Sequence, residues 1–212
     1  MRKKTFLILT LFSLLIFSCS TGTPPPAPEV ISVYSTSAAE PWLTDLYACA
    51  ESLAVLSRVD DSSIADISLR VGEPEFLSSP AFQIGTEEIL IVTHRQSPVQ
   101  NLTLEQSQTL FSQGDPSVQV WVYASDADVQ RVFDRFVMEG RRVTPSALIA
   151  VSSQQMSDAL VNQPNTVGIL PRHWKAGDVR EVFSVAAVPV LALTQFEPQG
   201  VIKELIICLQ SK

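Results

Sequence analysis

Short apolar runs rich in β-branched residues alternate along the chain with amphipathic segments from Glu29 onward. Runs of this kind are typical of strands, whereas apolar residues spaced three and four apart indicate helices. Strands are predicted over residues 30–34, 57–60, 64–71, 89–93, 118–123, 148–151, 167–170 and 182–193. Helices are predicted over residues 41–53, 104–112, 128–139, 156–161 and 199–209. Repeated strand–helix–strand units imply an α/β fold with a largely parallel sheet.

The first residues have the pattern of an export signal. Arg2, Lys3 and Lys4 precede an apolar stretch, residues 6–17, which is too short to span a membrane. The stretch ends at Cys19 in a sequence that resembles a bacterial lipobox, which implies lipidation of Cys19. An ordinary signal peptide with an incidental cysteine is the alternative.

A tether follows the cysteine. Residues 20–28 are polar and then proline-rich, a composition that stays extended and suits a spacer between a lipid and a domain. The sequence therefore predicts a signal peptide over residues 1–18 and a lipidated cysteine with its tether over residues 19–29. It predicts a protein anchored in the cell membrane by lipid and facing the periplasm or the cell exterior.

Composition narrows the range of partners. The chain is 46% hydrophobic and 17% charged, with a net charge of −7. Three of the 15 Lys and Arg residues lie in the first 18 positions, so the rest of the chain has 12 cations against 22 acids and a net charge of −10. Binding to nucleic acid needs clustered Lys and Arg to neutralise phosphates, so no nucleic-acid partner is expected.

Few residues offer chemistry for metal binding or catalysis. Two cysteines, Cys49 and Cys208, remain in the folded part, each near the apolar face of a predicted helix. A disulfide between the two helices is one interpretation, but the pattern favours two small buried thiols. The sequence has neither a CxxC pair nor a GxSxG motif and only two histidines, so no metal site, cofactor or enzymatic activity is expected.

One block of the sequence resembles a known family. The apolar strand at residues 89–93 leads through Ser-Pro-Val-Gln-Asn-Leu-Thr-Leu-Glu-Gln at 97–106 into a helix that ends in Leu-Phe-Ser-Gln-Gly at 110–114. This block resembles the hinge region of phosphate-binding proteins of ABC importers, in the periplasmic-binding-protein type II superfamily. Weaker similarities follow in the same order at residues 65–70, 165–171, 188–193 and 200–206.

The resemblance covers nearly all of residues 30–210 and implies an α/β, two-lobe periplasmic-binding-protein type II fold with a ligand cleft between the lobes. Lobe one is then expected over residues 30–95 and 194–212, and lobe two over residues 96–193. The implied function is capture of a small anion, a phosphate-like oxyanion, by a monomeric solute-binding lipoprotein that delivers it to an ABC permease.

The resemblance also implies a set of cleft residues. Those expected to bind the ligand are Ser35, Thr36, Ser37, Arg70, Ser125 and Asp126. Arg70 ends a predicted strand where the family has an anion-binding arginine, although a solvated charge at the edge of the sheet is the alternative.

The loop before the predicted helix at residues 128–139 departs from the family. The family's loop is rich in glycine, which lets backbone N–H groups surround an oxyanion, whereas this chain reads Val-Tyr-Ala-Ser-Asp-Ala-Asp at residues 122–128. We expect Asp128 to cap the helix. For Asp126 two interpretations stay open: a helix cap, or an acceptor for a proton or a cationic group of the ligand. The departure keeps open a second function, a degenerate binding fold that serves as a sensor or partner-docking module.

Overall fold

The computed structural model describes residues 28–212. The predicted signal peptide, the lipidated Cys19 and most of the predicted tether lie outside the described residues. Within residues 28–212, every helix is too short or too polar to cross a membrane.

Within residues 28–212, eight strands form one sheet. They are β1 (Glu29–Ser35), β2 (Ala54–Arg58), β3 (Ile67–Val71), β4 (Ala81–His94), β5 (Gln119–Tyr123), β6 (Leu148–Ala150), β7 (Thr166–Pro171) and β8 (Val179–Thr194). Their order across the sheet is β2-β1-β3-β8-β4-β7-β5-β6. The prediction of an α/β protein is therefore confirmed.

In the described part of the chain, five α-helices pack around the sheet. They are α1 (Leu43–Ala50), α2 (Leu104–Gln113), α3 (Asp128–Phe133), α4 (Ser153–Asn162) and α5 (Gly200–Gln210). A 3-10 helix, Ser37–Trp42, precedes α1, and a π-helical turn, Asp134–Met138, continues α3. The helix predicted at residues 128–139 is therefore α-helical in its first half and π-helical in its second half.

The direction of the strands divides the sheet into two lobes. In lobe one, β1 pairs in parallel with β2 and β3, and in lobe two β5 pairs in parallel with β6 and β7. The long strands β4 and β8 lie between these groups and run antiparallel to each other. They also run antiparallel to their outer neighbours, β7 and β3. The expectation of a largely parallel sheet is wrong at this centre, because the chain leaves lobe one along β4 and returns along β8.

Strand β4 is much longer than its apolar pattern suggests. The run predicted at residues 89–93 is fully buried, as expected, but the strand begins eight residues earlier, at Ala81. The added part contains Gly85, against which the Trp42 ring packs so closely that a β-carbon at this position would collide with it. The close approach holds the 3-10 helix of lobe one against the central strands.

A disulfide joins the first and last helices. Cys49 of α1 and Cys208 of α5 are bonded, with 5.9 Å between their α-carbons and 159 positions between them in the chain. The expectation of two free buried thiols is therefore wrong, because α5 packs on α1 and brings the cysteines together.

Candidate ligand-binding cleft

A cavity of about 600 Å³ lies between the lobes. Lobe one lines it with Thr36 and Ser37, which follow β1, and with Arg70 from β3. Lobe two lines it with residues that precede and begin α3 and α4, and the end of β8 adds residues 193–195. A concave site with contributions from both lobes is the arrangement expected of a small-molecule cleft.

Four of the six predicted site residues meet at this cavity: Thr36, Ser37, Arg70 and Asp126. Ser35 does not line it; its hydroxyl donates a hydrogen bond of 2.9 Å to the carbonyl oxygen of Thr36. Ser125 does not line it either and lies exposed in the turn before α3.

Asp128 connects the two lobes across the cleft. Its Oδ2 accepts a hydrogen bond of 2.6 Å from the Thr36 hydroxyl and one of 2.9 Å from the Val71 N–H. Its Oδ1 accepts from the N–H of the following residue, Val129, at 2.9 Å. The side chain is buried, with 6% relative exposure. Asp128 was expected to cap α3, but the capping residue is Ala127, and Asp128 is the first residue of the helix. Its side chain links lobe two to two segments of lobe one.

Asp126 has a different position. It lines the cavity but is exposed. The N-cap residue of α3 is Ala127, and no side chain accepts a capping hydrogen bond there. The cap interpretation of Asp126 is therefore not the observed one. Its carboxylate stands at the cleft surface, where solvent screens its charge.

A second set of contacts between the lobes lies beside Asp128. The Ser153 N–H, at the start of α4, donates to the Ser37 hydroxyl oxygen at 2.7 Å. The indole N–H of Trp174 donates to the carbonyl oxygen of Ala38 at 3.2 Å. The lobes therefore touch through several hydrogen bonds.

Arg70 lines the cavity and is partly buried. Its Nε is buried and has no hydrogen-bond partner among the described residues. Burial lowers the pKa of Arg70, an effect that the nearby Asp128 carboxylate opposes. A buried donor without a partner is costly unless a ligand or water completes it, so this group is the strongest indication of a binding site in the cleft.

Apolar and aromatic side chains complete the wall. Ile149 and Val151, on and just after β6, line the cavity with relative exposures of 60% and 85%. Tyr123 lies deep behind them, and burial raises the pKa of its phenol. Arg131 also lines the cavity and is exposed, so the wall carries two cations and two acids.

Reasoning from the sequence missed the contribution of α4 to the cleft. This helix was predicted to begin at Met156 but begins at Ser153, where the Ser152 side chain accepts from the Gln155 N–H. A serine followed three residues later by glutamine is a known helix-start pattern and is the signal that would have located this end. Among residues 28–212, no cluster of three or more His, Cys, Asp or Glu is arranged to hold a metal ion.

Comparison with known proteins identifies the fold. No family model matches the chain, and no curated protein matches it by sequence. Among solved structures it resembles a protein of Clostridium perfringens assigned as the substrate-binding protein of a phosphate ABC transporter, with bound phosphate. The TM-score is 0.75 at 14% identity, over 85% of this chain and 93% of that one. An ABC-type phosphate transport receptor from Vibrio cholerae gives a TM-score of 0.61 at 15% identity, over 86% and 93%.

The same fold also occurs in regulatory proteins. The regulatory domain of OxyR2 from Vibrio vulnificus matches with a TM-score of 0.62 at 10% identity, over 87% of this chain and 95% of that one. These proteins share the type II periplasmic-binding-protein fold, so the predicted two-lobe class is confirmed. At sequence identities of 10–15%, these similarities show a shared fold and do not show a shared function.

Proposed function

We propose that the protein is an extracytoplasmic solute-binding lipoprotein that captures a small anion and delivers it to an ABC importer. The observation that carries this proposal is Arg70, which lines a cavity formed by both lobes and keeps a buried, unpartnered Nε among the described residues. An anion is the ligand that satisfies such a group with charge-assisted hydrogen bonds.

Export and anchoring support the same proposal. The basic and apolar start of the chain, Cys19 and the proline-rich tether favour a lipid-anchored protein that faces the periplasm or the cell exterior. The disulfide between Cys49 and Cys208 agrees with this location, because disulfides persist in oxidising compartments. In this proposal the protein acts as a monomer that presents its closed, loaded form to a permease.

Titration calorimetry tests the proposal. The full-length protein is titrated with inorganic phosphate, sulfate, molybdate and a series of monocarboxylates at pH 7. We expect one binding site per chain for at least one of these anions. Absence of binding for every anion in the panel would overturn the proposal.

A second candidate function is a degenerate binding fold that serves as a sensor or partner-docking module. The observation that favours it is Asp128, which already satisfies the Thr36 hydroxyl and the Val71 N–H without any ligand. The likeness to the OxyR2 regulatory domain shows that the fold also serves outside transport. A gene that lies apart from permease and ATPase genes, together with no anion binding, would favour this second function.

A further inference from the structure

We infer that the anion held in the cleft is an organic monoanion, a monocarboxylate with an aliphatic body of several carbons, and not a tetrahedral inorganic dianion. The inference rests on the proposed function, because it names the class of anion that the same cleft captures. Three features carry it: the hydrogen-bond donors, the charges and the apolar part of the wall.

Three hydrogen-bond donors at the cleft are already engaged within the protein. The Thr36 hydroxyl and the Val71 N–H both donate to Asp128 Oδ2, and the Ser153 N–H donates to the Ser37 hydroxyl oxygen. Four oxygens of an inorganic anion need many donors at close range, whereas two carboxylate oxygens match one guanidinium. Arg70 is the group that keeps a buried, unpartnered nitrogen in this cavity among residues 28–212.

The charges beside Arg70 disfavour a doubly charged ligand. The buried Asp128 carboxylate lies close enough to act electrostatically on Arg70. At the same distance it repels a dianion twice as strongly as a monoanion. Arg131 attracts anions from the exposed part of the wall, where solvent screens its charge. Arg70 and Arg131 attract a dianion twice as strongly as well, but with two acids beside these two cations the wall gives a second negative charge little net attraction. A doubly charged ion costs more to desolvate, so the cleft accommodates one negative charge better than two.

The size and the wall of the cavity suit a ligand with an apolar body. Its volume of about 600 Å³ lies within the range of roughly 300–1,000 Å³ found for pockets that bind organic ligands. An anion of five heavy atoms would fill a small part of it. Ile149 and Val151 line the cavity with relative exposures of 60% and 85%, so an aliphatic body would cover apolar surface that now faces water.

Calorimetric titration of the full-length protein with phosphate, sulfate, acetate, butyrate and hexanoate at pH 7 tests the inference. We expect hexanoate to bind about tenfold or more tightly than acetate, because each buried methylene adds affinity, and about tenfold or more tightly than phosphate. Ile149→Ser and Val151→Ser should weaken hexanoate binding severalfold and leave acetate binding unchanged. Ile207→Ser, at an exposed apolar residue of α5 outside the cleft, is the matched control and should change neither.

The outcomes separate this inference from the proposed function. Tighter binding of phosphate or sulfate than of hexanoate would overturn the inference and leave the capture of a small anion standing. Equal affinities for acetate and hexanoate would also overturn it, because the apolar wall would then have no role. Absence of binding for all five anions would overturn both.

Discussion

Thr36 and Asp128 meet across the cleft, where the Thr36 hydroxyl donates a hydrogen bond of 2.6 Å to Asp128 Oδ2. The two residues are 92 positions apart in the chain and belong to different lobes. The same carboxylate oxygen accepts from the Val71 N–H, so one buried acid joins α3 to β3 and to the residue that follows β1. A carboxylate of the protein thus occupies donors that could otherwise serve a bound anion.

Removing the Asp128 carboxylate should lower the stability of the protein, because it breaks contacts between the two lobes. Asp128→Ala deletes two hydrogen bonds between the lobes and leaves the buried Val71 N–H without a partner. We expect a loss of about 1–3 kcal/mol in the free energy of unfolding, measured by urea denaturation. Asp126→Ala, at an exposed residue of the same loop, is the matched control and should cost less than about 0.5 kcal/mol. Equal stability of the two variants would show that Asp128 does not link the lobes.

Neutralising the same residue should change the preference among anions. Asp128→Asn keeps the shape of the side chain and removes the charge that acts on Arg70. We expect the affinity for inorganic phosphate to rise about tenfold or more, with a smaller rise for a monocarboxylate. Asp126→Asn should raise phosphate affinity less, because Asp126 is exposed and solvent screens its charge. A rise for Asp126→Asn that equals the rise for Asp128→Asn would contradict this assignment.

The sequence predicted those elements whose determinants are close together in the chain and missed those that depend on distant residues. Helix α2 was predicted within one residue, because its start is a local capping box in which Thr103 and Gln106 bond each other's backbone. Strand β4 was predicted only in its apolar half. Its other half contains Glu87, which is buried because His173, 86 positions away, lies 2.6 Å from its carboxylate. A polar residue within a strand is predicted to be exposed unless a distant partner that pairs with it is known.

The site shows the same limit. Arg70, Thr36 and Ser37 were predicted from the resemblance to phosphate-binding proteins, and the structure places all three at the cavity. The role of Asp128 depends on a partner in the other lobe, and no spacing in the sequence reveals that contact. The disulfide between Cys49 and Cys208 was missed for the same reason, because it depends on how α5 packs against α1.

Reduction should weaken the protein through the disulfide between α1 and α5. Breaking a link that closes a long loop lowers stability by about 2–4 kcal/mol, mainly by releasing the unfolded chain. We expect a reducing agent to lower the free energy of unfolding of the wild type by this amount, which appears as a lower urea midpoint. The double variant Cys49→Ala/Cys208→Ala should unfold near the reduced wild type and should not respond to the reducing agent. A wild-type midpoint that ignores the reducing agent would mean that the bond does not form in the protein.

Acid should weaken the network around Arg172, which donates to Glu88 and Glu181 at 2.9–3.0 Å. The hydrogen bond from Arg172 lowers the pKa of Glu88, and those from Lys175 and then Arg172 lower the pKa of Glu181. A lowered carboxyl pKa stabilises the fold above the ordinary glutamate range, near pH 4.3, and this contribution is lost as pH falls through the folded-state pKa.

The wild type should therefore lose more stability between pH 7 and pH 3.5 than Arg172→Gln does, as measured by urea midpoints at the two pH values. The difference should be small, because the groups are exposed to solvent. Arg142→Gln, at an exposed arginine of the loop after α3, is the control and should keep the wild-type pH dependence. Identical acid sensitivity in wild type and Arg172→Gln would show that the ion pairs of Arg172 do not contribute to the pH dependence of stability.

The proposed anchor depends on Cys19. If this cysteine carries the lipid, Cys19→Ser should release the protein from the membrane fraction or leave its precursor unprocessed, which fractionation and gel mobility report. Cys49→Ser is a useful control, because it changes another cysteine and should leave the protein with the membrane. A Cys19→Ser protein that stays membrane-bound with unchanged mobility would contradict lipidation at this residue.

The central claim is that the cleft binds an anion through Arg70. Its most direct test is a calorimetric comparison of wild type, Arg70→Gln and Arg141→Gln, titrated with whichever of phosphate and hexanoate the wild type binds more tightly. Arg141 lies outside the cleft on a solvent-exposed loop and pairs with Glu139, so it matches the loss of one charge. The account predicts at least about a tenfold loss of affinity for Arg70→Gln and none for Arg141→Gln. Wild-type affinity in Arg70→Gln would contradict it.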